Sequence, residues 1–177
     1  ENYALGNVHC GIEAIDQSFP SQIEDVAVFA EIWITFLNNL KVDDTDDFEA
    51  VRRWLVREAV LLSRGVDGLE ALADTDGQNH PEIFFDLVTS YIDVDDVKKA
   101  EAVCVRGIAK ITSPHQQAVL ADWLAKIAEK DNDMILALKH RRQAWRFEPT
   151  QRRLVNWCST LNQTPDDNAL REEISFL

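Results

Sequence analysis

PEIFFDLVTSYIDVDDVKKAEAVCVRGIAK (81–110) and AVLADWLAKIAEKDNDMILALKHRRQAWRF (118–147) decide the fold, because a shift of 37 residues lays one apolar pattern on the other. Ile83 falls on Leu120, Phe84 on Ala121, Leu87 on Leu124, Val88 on Ala125 and Tyr91 on Ala128. In the second half of each stretch, Val97 falls on Met134, Ala100 on Ala137, Gly107 on Ala144 and Ile108 on Trp145. Within each stretch the apolar residues recur at i, i+3, i+4 and i+7, the spacing of one helical face. Each stretch therefore reads as helix, short turn, helix. A lone hairpin of this kind cannot cover both of its apolar flanks, so such units stack. Shifting the same frame toward the N-terminus gives weaker matches, with Leu87 on Ala50, Val88 on Val51 and Tyr91 on Trp54.

Working outward, helix starts and stops are well marked. Ser21 with Glu24 forms a capping box before an apolar run from Val26 to Leu40, whose expected face holds Val26, Phe29, Ala30, Trp33, Phe36, Leu37 and Leu40. The aspartates at 43, 44, 46 and 47 end that helix and cap a second, from about Phe48 to Ser63, with a stripe of Val51, Trp54, Leu55, Ala59 and Leu62. Gly65 predicts a break followed by a short helix from Val66 to Ala73. Further helices are expected over 81–92, 95–111, 114–130, 132–147 and 150–161, with a last one capped by Thr164. Ser113-Pro114 supplies a cap and a first-turn proline, and Pro149 stops the helix before it. No segment alternates with period two for long enough to argue a strand. The expectation is an all-α, right-handed array of antiparallel helical hairpins in one domain, with divergent N-terminal helices over 1–79 and regular hairpins over 80–177.

Composition narrows the function classes. A chain of 177 residues buries enough core to need neither metal nor disulfide, and six Gly and five Pro are too few for a turn-rich β fold. Residues 1–100 hold 21 acidic and 7 basic residues, a balance of −14, whereas 101–177 hold 10 and 11. An acidic half disfavours nucleic acid and anionic membrane as partners. Cys10, Cys104 and Cys158 are too scattered for a zinc site and read as small buried hydrophobes in a reducing, cytoplasmic setting. No apolar run reaches the length of a membrane span, and no signal peptide is visible. The chain opens on Glu1, as a piece of a longer protein would.

The residues over 81–149 resemble the tetratricopeptide repeat. Phe84, Leu87 and Tyr91 stand where that family places its first-helix Trp, Leu and Tyr, and Ala100 at its second-helix Ala. In the next unit Leu124, Ala137, Ala144 and Pro149 match the Leu, the two alanines and the terminating Pro. The family's first-helix Gly is Val88 and Ala125 here, its second-helix aromatic is Cys104 and Arg141, and the period is three residues longer. The resemblance implies a tetratricopeptide-like α-solenoid and no particular activity. Leu136 to Asn156 also resembles helical-repeat regions that accompany bacterial SWIM zinc fingers. That likeness implies a metal module outside this chain, since the finger's own cysteine and histidine pairs are absent.

Five groups of residues are candidates for chemistry. By the resemblance, Glu82, Phe85 and Thr89 from one unit and Asp122, Lys126 and Glu129 from the next line a partner-binding face; the plainer reading is ordinary surface. Lys139, Arg142 and Arg146 share a helix face within a basic stretch that also holds Arg141, Arg152 and Arg153. That patch could hold a phosphate, an acidic peptide or RNA, but a solvated face is the favoured reading. His9, His80, His115 and His140 do not cluster, and neither aspartate cluster has the glycine and glutamate spacing of a calcium loop. The five tryptophans lie at apolar helical positions and read as core. No catalytic, metal or cofactor motif stands out. The leading expectation is a protein- or peptide-binding scaffold without catalysis. Its rivals are an enzyme assembled from sequence-distant residues and a regulatory domain beside a nucleic-acid-binding module.

Overall fold

The computed structural model describes residues 25–40 and 46–161. Among them lie seven α-helices and no strand: α1 Val26–Asn39, α2 Asp46–Asp76, α3 Glu82–Asp93, α4 Val97–Lys110, α5 Pro114–Lys130, α6 Met134–Phe147 and α7 Gln151–Leu161. The protein is therefore all-α over these residues. The Ser21 capping box, Cys10, His9, Asp43 and Asp44 and the helix expected after Thr164 lie outside the described residues. The chain divides into two compact units, Glu1–Leu72 and Ala73–Leu177.

In the first unit, α1 starts at Asp25, whose carboxylate accepts the Val28 amide at 3.0 Å. Its buried face is Ala30, Ile34 and Leu37, at i, i+4 and i+7. The sequence reading rotated this face: Phe36 is half-exposed, while Phe29 and Trp33 are only partly covered and stack in series with Phe36. An apolar run this dense fits more than one helical face, so periodicity alone could not choose. On α2, Ala59 and Val60 are buried, but Val51 is exposed and Trp54 half-buried. Two arginines of α2 reach α1. Arg64 grips the Glu31 carboxylate with two bonds of 2.6 and 2.7 Å, and Arg52 donates to the Leu37 carbonyl at 3.3 Å. Gly65 breaks α2 as expected, at φ 64° and ψ −161°. That region is closed to residues with a Cβ, although nothing lies within 4 Å of where one would stand.

The second unit is built on one turn used twice. At the end of α3, Asp95 adopts a left-handed φ of 59°, its amide bonds Ile92 O at 3.0 Å, and the Asp96 amide bonds Tyr91 O at 2.8 Å. At the end of α5, Asn132 has φ 60°, with Asn132 N to Glu129 O at 3.1 Å and Asp133 N to Ala128 O at 2.9 Å. This is the Schellman arrangement, in which two orphan carbonyls of a finished helix are satisfied by the residues that leave it. Asp and Asn tolerate the left-handed region better than other residues with a Cβ. The residue after each is an aspartate that caps the next helix: Asp96 accepts from Lys99 N at 3.2 Å and Asp133 from Leu136 N at 2.9 Å.

Helix lengths and burial follow the same offset. α4 shifted by 37 residues coincides with α6, and α3 and α5 end at equivalent residues. Ile83, Phe84, Leu87, Val88, Tyr91, Ala100, Cys104 and Gly107 are buried, and so are Leu120, Ala121, Leu124, Ala125, Ala128, Ala137, Arg141 and Ala144 at the matching positions. Contacts run in chain order, from α3 to α4, α5, α6 and α7. Gly107 allows the close approach at the centre. A Cβ there would stand 2.6 Å from Leu120 Cδ1 and 3.1 Å from Phe84 Cγ. Ser113 occupies the cap position of α5 but makes no side-chain cap bond, contrary to expectation. Gln117 works at this junction instead, donating to the Ile108 and Ile111 carbonyls at 3.0 and 2.8 Å and so finishing α4.

Two outcomes follow. Replacing Gly65 by Ala forces a Cβ into a glycine-only conformation, so we expect a loss of about 1–3 kcal/mol in urea unfolding. An interior helix position would instead gain from the same change. The Arg64 hydrogen bonds hold the Glu31 carboxyl down at about 2, below its ordinary 4.5. The unfolded chain then binds more protons between those values, so this contribution is complete above pH 4.5 and is lost as pH falls toward 2. Thermal melts from pH 5 to 2 should show a shallower acid decline for Glu31→Gln than for the wild type.

Candidate functional site

The richest chemistry of the second unit lies where α5, α6 and α7 meet. Arg141 of α6, one of only two buried polar or charged side chains among the described residues, points back at α5. Its Nε and Nη2 donate to the two oxygens of Glu129 at 3.1 and 3.0 Å, and its Nη1 donates to Asp122 Oδ1 at 3.0 Å. The other oxygen of Asp122 accepts from Arg153 Nε of α7, also at 3.0 Å. Arg153 in turn pairs with Glu148 at the end of α6, and His115 Nδ1 lies 3.0 Å from the same carboxylate. Thr160 Oγ1 of α7 completes the set, 3.5 Å from Glu129 Oε1. Burial raises the Glu148 pKa, but the His115 hydrogen bond and the Arg153 charge outweigh it and hold the carboxyl below the usual range.

The 37-residue offset shows what this cluster replaces. Asp122, Glu129 and Arg141 stand at the positions of Phe85, Ile92 and Cys104 in the preceding hairpin. An apolar trio in one hairpin is an ionic trio in the next. Cys104 is fully buried, and burial together with the nearby Glu101 charge pushes its thiol up to about 12, so it packs as a hydrophobe. The ionic version joins three helices, because each carboxylate has two oxygens and Arg141 presents a rigid fork of donors.

Two of the six expected partner-binding residues, Asp122 and Glu129, are thus paired with Arg141 and Arg153 within the molecule while keeping 22% and 32% exposure. The sequence placed all four on helices but could not show that arginines 12, 19 and 31 residues away reach back to them. Of the remaining four, Glu82 and Thr89 are exposed and Phe85 is half-buried. Lys126 is exposed and lies over the ring of half-buried Trp123, 4.9 Å from its centroid. Sequence reasoning missed Trp123 as surface, since all five tryptophans read as core. Only Trp145 and Trp157 are buried, stacked with centroids 6.0 Å apart. In the basic stretch, Lys139 and Arg146 are exposed and Arg142 is half-buried, while Arg141 and Arg153 belong to the ionic cluster. His140 is half-buried, and burial lowers its pKa.

Among the described residues no group of His, Cys, Asp or Glu could hold a metal ion, and no helix is long and apolar enough to cross a membrane. No protein-family model matches the chain, and no curated protein or solved structure matches it.

Because the first hairpin shows an apolar alternative at the same positions, the ionic cluster can be tested by transplantation. Arg141→Cys alone strands Glu129 and half of Asp122. We expect a loss of about 2 kcal/mol, below the ~3–5 kcal/mol of a fully buried pair because the two carboxylate side chains remain 32% and 22% exposed. The triple variant Asp122→Phe, Glu129→Ile, Arg141→Cys copies the preceding hairpin and should recover most of that loss in denaturant unfolding. A triple variant no more stable than Arg141→Cys would show that the two hairpins pack differently at these positions.

Proposed function

We propose that this chain is a protein- or peptide-binding scaffold, a helical-repeat module of tetratricopeptide-like hairpins whose first helices, α3 and α5, present the binding face. The observation that carries this reading is the turn used twice: Asp95-Asp96 and Asn132-Asp133 close their hairpins with the same backbone bonds, 37 residues apart, and burial repeats around them. Equivalent positions then face the same way on successive hairpins, which is how an array presents an extended face to an extended partner. The residues assigned to that face are Glu82, Phe85 and Thr89 on α3 and Lys126 with Trp123 on α5. An aromatic surface under an exposed cation suits a peptide that offers a carboxylate beside an apolar side chain. With Asp122 and Glu129 paired to arginines from within, Lys126 is the exposed charge that α5 offers to this face. The reading includes no catalysis by this chain, a cytoplasmic setting in keeping with free Cys104 and Cys158, and no nucleic-acid partner for a chain of net charge −13.

A photo-crosslinking amino acid placed at Thr89 or Lys126 should capture one and the same protein in cells. The same probe at Ala102 or Ala109, on the exposed side of α4, should not. Lys126→Glu should cut the adduct at Thr89 at least several-fold. Equal capture at all four positions would refute a specific face on α3 and α5, and capture at Lys139 alone would move the interface to the basic side of α6.

A further inference from the structure

Helices α3 and α5 lie side by side, in one direction and one register. Phe84 of α3 and Leu120 of α5 close on the same point, the place where Gly107 lacks a Cβ, and at the far end Lys130 Nζ of α5 reaches Asp95 Oδ1, just past α3, at 3.3 Å. Their outward rows can therefore be compared position by position. On α3 the row at i, i+4, i+7 and i+11 is Glu82, Asp86, Thr89 and Asp93; on α5, 37 residues later, it is Val119, Trp123, Lys126 and Lys130. Both rows are half-buried at the second position and exposed at the last two. One row is acidic, and the other is apolar at its start and basic at its end.

Register keeps two of these charges from answering each other. Lys126 stands abreast of Thr89, and Glu82 stands abreast of Val119. Among the described residues neither Glu82 nor Lys126 forms an ion pair, and Lys126 lies over the Trp123 ring instead. Seven residues of helix rise about 10 Å and neighbouring axes lie about 8–10 Å apart, so the diagonal from Glu82 to Lys126 spans about 14 Å. Four steps of an extended chain cover about 13 Å and turn the first, third and fifth side chains to one side. Midway along that diagonal stand the half-buried rings of Phe85 and Trp123.

Resting on the scaffold reading, we propose that the partner of this face is an extended peptide segment with a cationic, an apolar and a carboxylate side chain at alternate residues, laid from Glu82 across Trp123 to Lys126. The cation answers Glu82, the apolar side chain covers the two rings, and the carboxylate answers Lys126. A segment of uniform sign is disfavoured, because an acidic one meets repulsion at the α3 row and a basic one meets it at Lys126.

Selection of displayed random peptides of about twelve residues on the immobilised full chain tests this. Enriched peptides should share a cation, an apolar residue and a carboxylate at i, i+2 and i+4, read in either chain direction. Synthetic versions should lose affinity several-fold on Glu82→Lys and on Lys126→Glu and keep it on Lys139→Glu. The double exchange, Glu82→Lys with Lys126→Glu, should prefer a peptide whose two charges are swapped, a gain that a damaged fold could not produce. Enriched peptides without the charge pair that still weaken on Lys126→Glu would overturn the charge order and leave the α3 and α5 face standing. Peptides indifferent to both substitutions would overturn the order and the face together. If selection enriches nothing, an extended segment is not what the face takes, while a common adduct at Thr89 and Lys126 in cells would still uphold the scaffold.

Discussion

The second unit depends on how the chain reverses between paired helices. A single left-handed residue lets two carbonyls of the finished helix find amides within three residues, and the following aspartate caps the next helix at once. No residues are left over, so the two helices of each hairpin are held antiparallel in fixed register. That register determines which side chains meet. With the same reversal at Asp95 and Asn132, most of the side chains that turn inward recur 37 residues on, including the small pair Gly107 and Ala144, while Val103, Ile111, Ile127 and Trp145 are buried in one hairpin only.

Given that frame, the ionic cluster is a local variation on a shared plan. Phe85, Ile92 and Cys104 could have been followed by three more apolar residues. Asp122, Glu129 and Arg141 stand there instead, at the junction where α5 must also receive α7. An apolar patch accepts any greasy neighbour at many angles. A carboxylate shared by two guanidinium groups accepts α7 only where Arg153 and Thr160 reach their acceptors. Desolvation consumes much of what such a cluster gains in Coulomb energy, so its contribution lies in fixing position more than in raw stability. Trp157, stacked on Trp145, supplies the apolar burial for the same helix.

Much of this was legible in the sequence, and the illegible parts share one cause. Helix positions, the break at Gly65 and the inward faces of α3 and α5 follow from periodicities within ten or so residues, which a linear reading captures. The repeated Asp-Asp and Asn-Asp pairs at the turns also held the signal for the reversal, although they read only as a generic turn. What failed was long-range and side-chain in nature. Asp122 and Glu129 looked like surface because their partners lie on other helices, and the reach of an arginine leaves no trace in spacing. Ser113 looked like a cap because Ser-Pro usually is one, yet its side chain makes no cap bond, and the side-chain bonds at this junction come from Gln117 to the end of α4. The face of α1 was misjudged because nearly every position there is apolar, so pattern carries little information about which side turns inward.

Charge links these observations. The α5 helix contributes acidic residues that the sequence offers as surface, and the fold withdraws two of them by supplying arginines from α6 and α7. Lys126 is left as the exposed charge in the middle of that helix face, above an aromatic ring. Glu31 on α1 is removed from play in the same way by Arg64. In a chain so acidic overall, ion pairs of this kind lower the negative charge of the surface locally. The internal ion pairs therefore have a consequence beyond holding helices together: they decide which parts of the surface are free of repulsion.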